Sequence, residues 1–597
     1  MTSKLGTVKD VVLGAIYGSE PGKAADTNVE TLSVTSDDYQ DSDGAPVEKK
    51  SPLGYHITAF STFYLIVQGV IGTGIFATPA SVLVSMGSIG ASYVLWIVGF
   101  IIVLFQTFMY VEYTSYFRHR SGAEVVYLEQ SFPNPKFLVP VVYAATNVLL
   151  SFDTSAAQAF STYIYDAAGY DASNWEIRGL GIAALVLGAL ITAFNSNFAV
   201  KMNNVIGFIK VIFVLFLALS SLAVLAGSTK VPKEAAHAVF DNAWAGTTTD
   251  GNSISNAILK VYFSFWGVPY AFGVVAESHP KNTVRTYSIA IPLTMFFILI
   301  IYTLVITGYY AGVANVNEIK NTGNLIAAVY FQKIFGTKAS VKALSAFVSI
   351  SAFGHLQTAY LSHSRSLREC GRQGVLPYPR LWTSVKPFGT PLFPIFITFL
   401  VNFVVLIAPP PGDAYNFVVD IGSYSSYIFA VLLAIGLFKL RKARRKVGLG
   451  YREFHCPTII LVIVLLFSLF VIVMAFVPPK GTLKGDDVSF FYAAYPITTI
   501  GICIVCVIYY FLWAYLAPRI GKYRHRILEY RLANGELGHK VIKVRNEDLE
   551  EWDREHAGGS NTLSGNLEEE RPNNEINDEE SQDIILTTSR ISSSKKE

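Results

Sequence analysis

Gly69-Val70-Ile71-Gly72-Thr73-Gly74-Ile75-Phe76 decides the fold, because three glycines fall around the centre of an apolar run, 57–86, long enough to cross a bilayer. In hydrocarbon every backbone N–H and C=O must be satisfied, so a glycine-rich break at mid-depth is tolerated only where it lines a cavity. A second break, Phe263-Ser264-Phe265-Trp266-Gly267-Val268-Pro269, stands at the centre of the run 254–276, and Pro269 there suits the first turn of a restarting helix. The two broken segments are the first members of two consecutive sets of five. Broken helices in matching positions of two halves point to the site of an inverted-repeat transporter. The bland alternative is that the glycines only let helices pack closely.

Around these breaks lie further apolar runs of about 20 residues, the length that a hydrocarbon core of about 30 Å requires. The expected spans are 57–86, 91–117, 137–166, 179–196, 202–227, 254–276, 288–313, 340–362, 391–408, 413–438, 457–477 and 488–517. The fold class is therefore an all-α membrane protein of about 12 transmembrane helices, with a five-plus-five inverted repeat and discontinuous helices 1 and 6. Composition agrees: of 597 residues 52% are hydrophobic and 15% charged, with a mean hydropathy of +0.40. An ordinary soluble chain carries about 25% charge, so a soluble enzyme, a disordered chain and a disulfide scaffold are excluded. Of the four cysteines, Cys503 and Cys506 have the spacing of a redox pair but lie in an apolar run, which reads as packing. No metal, cofactor or nucleic-acid site is expected.

Three parts follow: a polar N-terminal tail, 1–55, read as disordered; the transmembrane domain, 56–517; and a C-terminal tail, 518–597. The last is basic near the membrane (Arg519, Lys522, Arg524, Arg526), as if to meet anionic lipid, then strongly acidic from Glu547 to Asp583. An even number of spans puts both termini on one side. The inner loops would hold Arg118, Arg120, Lys136, Lys201, Lys281 and Arg285, then Arg365, Arg368, Arg372, Arg380 and Lys386, and finally the run from Lys439 to Arg452. The outer loops hold about half as many basic residues, so both termini are expected in the cytoplasm.

The broken ends carry chemistry. A helix restarting after Gly74 offers free N–H groups and a positive dipole end, which suit a carboxylate. The carbonyls left where the first halves stop suit an ammonium group. Together they would grip a free α-amino acid by the two groups all amino acids share.

Ionisable residues at membrane depth cost about 2.5–3.5 kcal/mol each on insertion scales. Lys210 lies about two turns into the fifth span, where burial favours its neutral form, so it is a candidate to bind and release a proton. Snorkelling to the inner surface is the competing role. Asp153 is a second candidate, with a hydrogen-bonded structural role as its rival. His355 reads more readily as a packing residue than as a relay. Glu112 reads as a helix-end or interfacial residue, and Lys260 and Asp420 as outer-side residues facing water.

These residues in order resemble the amino acid–polyamine–organocation superfamily, in particular the L-type branch that includes fungal methionine permeases. The resemblance covers about residues 55–525. It rests on Gly72-Thr73-Gly74-Ile75-Phe76, on Tyr127-Leu128-Glu129 after Ser121-Gly122, on Phe263 to Gly267, on Arg372 to Pro377, on Lys386-Pro387-Phe388, and on Ala408 to Tyr415. It implies a five-plus-five repeat with two further helices. Thr73, Gly74 and Ile75 would hold the substrate carboxylate. Val70, Phe263 and Trp266, next to Gly267, would hold its amine through backbone carbonyls, and Phe263 would gate the site. Lys210 matches the lysine that stands in for a sodium ion in sodium-independent members. This chain departs from the family pattern at Gln68-Gly69 and in the stretch Glu277 to Arg285, where the inner gate would differ.

The expectation is a plasma-membrane amino acid permease and not an enzyme. It would import neutral amino acids, L-methionine first, by proton symport. The partners expected are the substrate, protons and membrane lipid. By resemblance, Lys4, Lys9, Lys23, Lys49 and Lys50 around the acidic stretch Asp37 to Asp43 would recruit a ubiquitin ligase adaptor. A uniporter or exchanger and a non-transporting nutrient sensor are the alternatives. No Gly-x-x-x-x-Gly-Lys-Ser/Thr motif occurs, which argues against a built-in ATP-driven pump.

Overall fold

The computed structural model describes residues 44–48, 51–150, 153–408, 414–446, 448–479, 491–531, 537–555 and 567–569. Each apolar run is a helix or a pair of helices. In chain order they are α1 (Ala59–Val70), α2 (Gly74–Met86), α3 (Ile89–Phe117), the short loop helix α4 (Glu124–Ser131), α5 (Leu138–Leu150), α6 (Thr154–Ala168), α7 (Asn174–Phe194) and α8 (Ser196–Ala226). There follow α9 (Gly251–Phe265), α10 (Val268–Gly273), α11 (Thr283–Val313), α12 (Lys338–Arg372), α13 (Leu392–Ile407), α14 (Ala414–Lys446), α15 (Thr458–Met474) and α16 (Ala494–Phe511).

Local sequence sets many of the ends. Thr58 caps α1 by accepting the Ser61 N–H, and Ser88 caps α3 by accepting that of Ala91. Gly87 and Gly227 terminate α2 and α8 in the left-handed conformation, at φ 76° and 77°.

Among the described residues, eight helices are long and apolar enough to cross a membrane, nine if the bent pair α1 and α2 counts as one span. The expected count of twelve exceeds this for a physical reason. The run 254–276 is split at Trp266-Gly267 into α9 and α10, and α13 and α15 have only 16 and 17 residues. The tail lysines and Asp37 to Asp43 lie outside the described residues, as does the middle of the stretch Ala408 to Tyr415.

Charges expected at the surface are in part inside. Glu112 has no exposed surface. It accepts from Arg441 Nη2 at 2.6 Å, Arg441 Nε at 2.9 Å, the Cys456 N–H at 2.7 Å and the Tyr116 hydroxyl at 2.9 Å. It is thus a fully paired tie between α3 and α14, not an interfacial residue. Lys260 and Asp420 form a buried pair at 2.7 Å joining α9 to α14, not two water-facing ends. Glu277 meets Arg365 at 2.7 Å with neither side chain exposed.

The same end of the bundle carries Arg120, which reaches Glu129 and Glu369 at 2.5 and 2.7 Å. Residues 44–48 dock there: the Ala45 N–H donates to Glu129, and Glu48 takes both Arg368 Nη atoms at 2.8 and 3.2 Å. Beyond the last helix an antiparallel hairpin, β1 (Tyr523–Arg531) with β2 (Leu537–Arg545), rests on the end of α12, where the His539 carbonyl closes on Gly374. Arg526 of the basic stretch is paired with Asp553 at 2.8 Å.

Candidate functional site

The two helix breaks meet. Between α1 and α2 the axis bends by 43° over residues 71–73. Between α9 and α10 Gly267 takes φ 150°, a conformation that side chains rarely adopt. A Cβ on Gly267 would lie 2.2 Å from the Gly69 carbonyl carbon, so the backbones touch at the point where both helices stop.

The carbonyls orphaned at the first break are capped by side chains from other helices. Lys210 of α8, 3% exposed, donates to the Ile71 carbonyl at 2.6 Å and to the Gln68 carbonyl at 3.3 Å. Ser351 also donates to Ile71 O at 3.1 Å, and His355 Nδ1 lies 3.3 Å from Gln68 O. The Tyr302 hydroxyl lies 2.9 Å from Val70 O and 3.0 Å from Ser264 O, one acceptor at each break. Lys210 therefore faces the interior and does not snorkel.

Beside the breaks is a cavity of about 140 Å³, room for a small solute by comparison with the roughly 10–15 Å³ that one water needs on this measure. Phe263 and Trp266 stand at one side, and Asp153, His363, Ser362 and Glu124 at others. It lies toward the end of the bundle that carries α4. Asp153 is the N-cap residue of α6, held through its own N–H by Asn402 Oδ1 at 2.8 Å. Its carboxylate accepts the Tyr270 hydroxyl at 2.7 Å, approaches His363 Nε2 at 2.9 Å, and lies 3.5 Å from His355 Nε2.

Of the expected site residues, Phe263, Trp266 and Asp153 line this cavity, and Val70, Thr73, Gly74, Ile75, Gly267 and Lys210 are not in its wall. α2 is clasped to α9: a Cβ on Gly74 would lie 2.7 Å from the Ser264 Cα, and Thr78 Oγ1 lies 2.8 Å from Ser264 Oγ. Val70 O already takes the Gly72 N–H at 2.8 Å besides the Tyr302 hydroxyl. The helix end expected to take a carboxylate is thus covered, and the Val70 carbonyl expected to take an amine is occupied from within.

Among the partners unread in the sequence are Tyr302, Tyr270 and His363. The last had a signal, since it follows His355 by eight residues on one helix, about two turns apart.

Comparison with known proteins agrees in kind with this geometry. Residues 57–505 match the family model described as amino acid permease. The chain is 32% identical to the high-affinity methionine permease of Saccharomyces cerevisiae, over 83% of this chain and 85% of that protein. It is 25% identical to the low-affinity methionine permease of the same yeast, over 88% and 94%. It is 24% identical to the b(0,+)-type amino acid transporter 1 of Mus musculus, over 71% and 83%.

Proposed function

Because the chain belongs to the amino acid permease family, we propose that it imports neutral amino acids, L-methionine foremost, across the plasma membrane by proton symport and alternating access. The observation that carries this reading is the meeting of the two broken helices at Gly69 and Gly267, with Lys210 on the carbonyls they leave. The likeness to two yeast methionine permeases supports the substrate. A cavity walled by Phe263, Trp266 and Phe429 among serines suits an apolar side chain on a polar backbone.

In this mechanism the substrate carboxylate binds the N–H groups of Thr73, Gly74 and Ile75, and its amine binds the carbonyls of Val70, Phe263 and Trp266. Gly267 gives the backbone approach that this grip requires. The clasp of α2 on α9 closes one side while the cavity lies toward the other, the cytoplasmic side. Release of the clasp and of Tyr302 from Val70 opens the grip to the opposite face. Lys210 and Asp153 couple the cycle to a proton.

The energetics suffice. One charge crossing 100 mV gains about 2.3 kcal/mol, and a pH difference of one unit adds about 1.4 kcal/mol. Together they support a gradient of several hundredfold, at about 1.4 kcal/mol per decade.

In cells lacking their own permeases, the protein should accumulate labelled methionine above the external level, and a protonophore should abolish the accumulation. Uptake that only equilibrates would leave a uniporter or exchanger. Binding with no uptake would leave a nutrient sensor.

A further inference from the structure

His355 stands between the cavity and the first helix break, with a hydrogen-bond acceptor on each side of its ring. Nε2 lies 3.5 Å from Asp153 Oδ1, and Nδ1 lies 3.3 Å from the Gln68 carbonyl oxygen. That carbonyl is the one Lys210 Nζ also reaches, at 3.3 Å. The ring packs on the break itself, since a Cβ on Gly72 would lie 3.1 Å from Nδ1.

A neutral imidazole carries one donor and one acceptor nitrogen, so between two acceptors it satisfies only one of them. The imidazolium donates to both. In these surroundings like charges repel strongly, so a positive charge on the ring disfavours one on the Lys210 amine that shares the Gln68 carbonyl. We infer that His355 is the proton-responsive positioning residue linking the cavity to the first helix break: protonated, its Nδ1–H takes the Gln68 carbonyl and disfavours charge on Lys210; neutral and donating through Nε2 to Asp153, it leaves that carbonyl to Lys210.

The titratable groups facing His355 fit this role. Asp153 approaches from the N-terminus of α6. Tyr270 of α10 stands edge-on at a ring separation of 5.7 Å, and Lys210 comes from α8. Beyond Asp153 lie His363, on the same helix as His355 and 2.9 Å from Oδ2, and Tyr360; beyond His363 lies Glu124 on the cavity wall. Asp153, Tyr270, His363 and Glu124 line the cavity, and the 3.5 Å approach of Asp153 to His355 Nε2 ties the ring to that wall. This inference rests on the proton-coupled reading above and adds to it the element by which a proton on the cavity side reaches the helix break.

The test uses the full-length protein in liposomes with an entrapped pH dye and labelled methionine, comparing wild type with His355→Asn and His355→Gln. The Asn amide replaces Nδ1 and the Gln amide replaces Nε2; neither can change charge, and either one that inserts folded decides the matter. Methionine-driven proton influx should fall at least about tenfold and the pH profile between about pH 5 and 7 should flatten, while methionine counterflow at equal pH falls by less than about threefold. Wild-type influx and pH profile in a variant would overturn the inference and leave symport standing, and a parallel loss of counterflow would make His355 merely structural. No methionine-driven influx in the wild type would instead overturn the symport reading.

Discussion

The Nζ of Lys210 sits 2.6 Å from the Ile71 carbonyl oxygen, at the residue where α1 has ended and α2 has not begun. An amine from one helix thus completes the hydrogen bonding of another helix at its break. The Ile71 carbonyl keeps another donor in Ser351, and the His355 Nδ1 lies within 3.3 Å of the Gln68 carbonyl that Lys210 also reaches. Lys210→Ala should therefore reach the membrane folded, at a cost of about 1–3 kcal/mol. Methionine uptake by this variant, measured between about pH 5 and 7, should no longer vary with pH. An unchanged pH profile would remove Lys210 from coupling.

Gly267→Ala should be far more damaging than its one added methyl suggests. The φ of 150° strains any side chain, and the new Cβ would meet Gly69 and Val70 backbone at 2.2–2.6 Å, where no rotamer can yield. Surface expression and thermal stability in detergent should both collapse. Gly501→Ala, which meets nothing within 4 Å, is the control and should behave as wild type.

Lys260→Ala takes from the buried Asp420 its lysine partner. Breaking a buried pair from one side typically costs about 3–5 kcal/mol, whereas replacing both partners by apolar residues is often neutral. Lys260→Met with Asp420→Leu should recover most of the thermal stability that Lys260→Ala loses. A double variant as unstable as the single one would show that the pair does more than neutralise itself.

The docking of residues 44–48 should weaken in acid. Burial alone would raise the Glu48 carboxyl, but the guanidinium groups of Arg368 and Arg372 more than offset this and hold it below its ordinary value of 4.5. A carboxylate with a depressed folded-state value contributes fully above the unfolded value and loses that contribution as pH falls through the folded one. Proteolytic cleavage near residues 44–48 should therefore be slow at neutral pH and accelerate below about pH 4.5. Glu48→Gln should be cleaved quickly at both, and equal rates for Gln and wild type at neutral pH would refute the latch.

Both breaks were legible in the chain because their cause is local: Gly72-Thr73-Gly74 and Trp266-Gly267 are weak helix formers wherever they stand. What those breaks touch was not legible. Glu112 looked interfacial because Arg441, which neutralises it, lies 329 residues further on. Lys260 and Asp420 looked exposed for the same reason, at a separation of 160 residues. Asp153 was visible as a charge at depth, but its role depends on a tyrosine from α10 and two histidines from α12 that only packing brings to it. Periodicity reports which face of a helix is apolar and is silent on which distant polar group it will meet.

The Tyr302 hydroxyl has a single proton and two carbonyls within reach, Val70 O on one broken helix and Ser264 O on the other. It can donate fully to only one at a time. The two breaks therefore compete for one proton, and in the alternating-access cycle proposed above, loosening at one break would free the hydroxyl to strengthen its bond at the other.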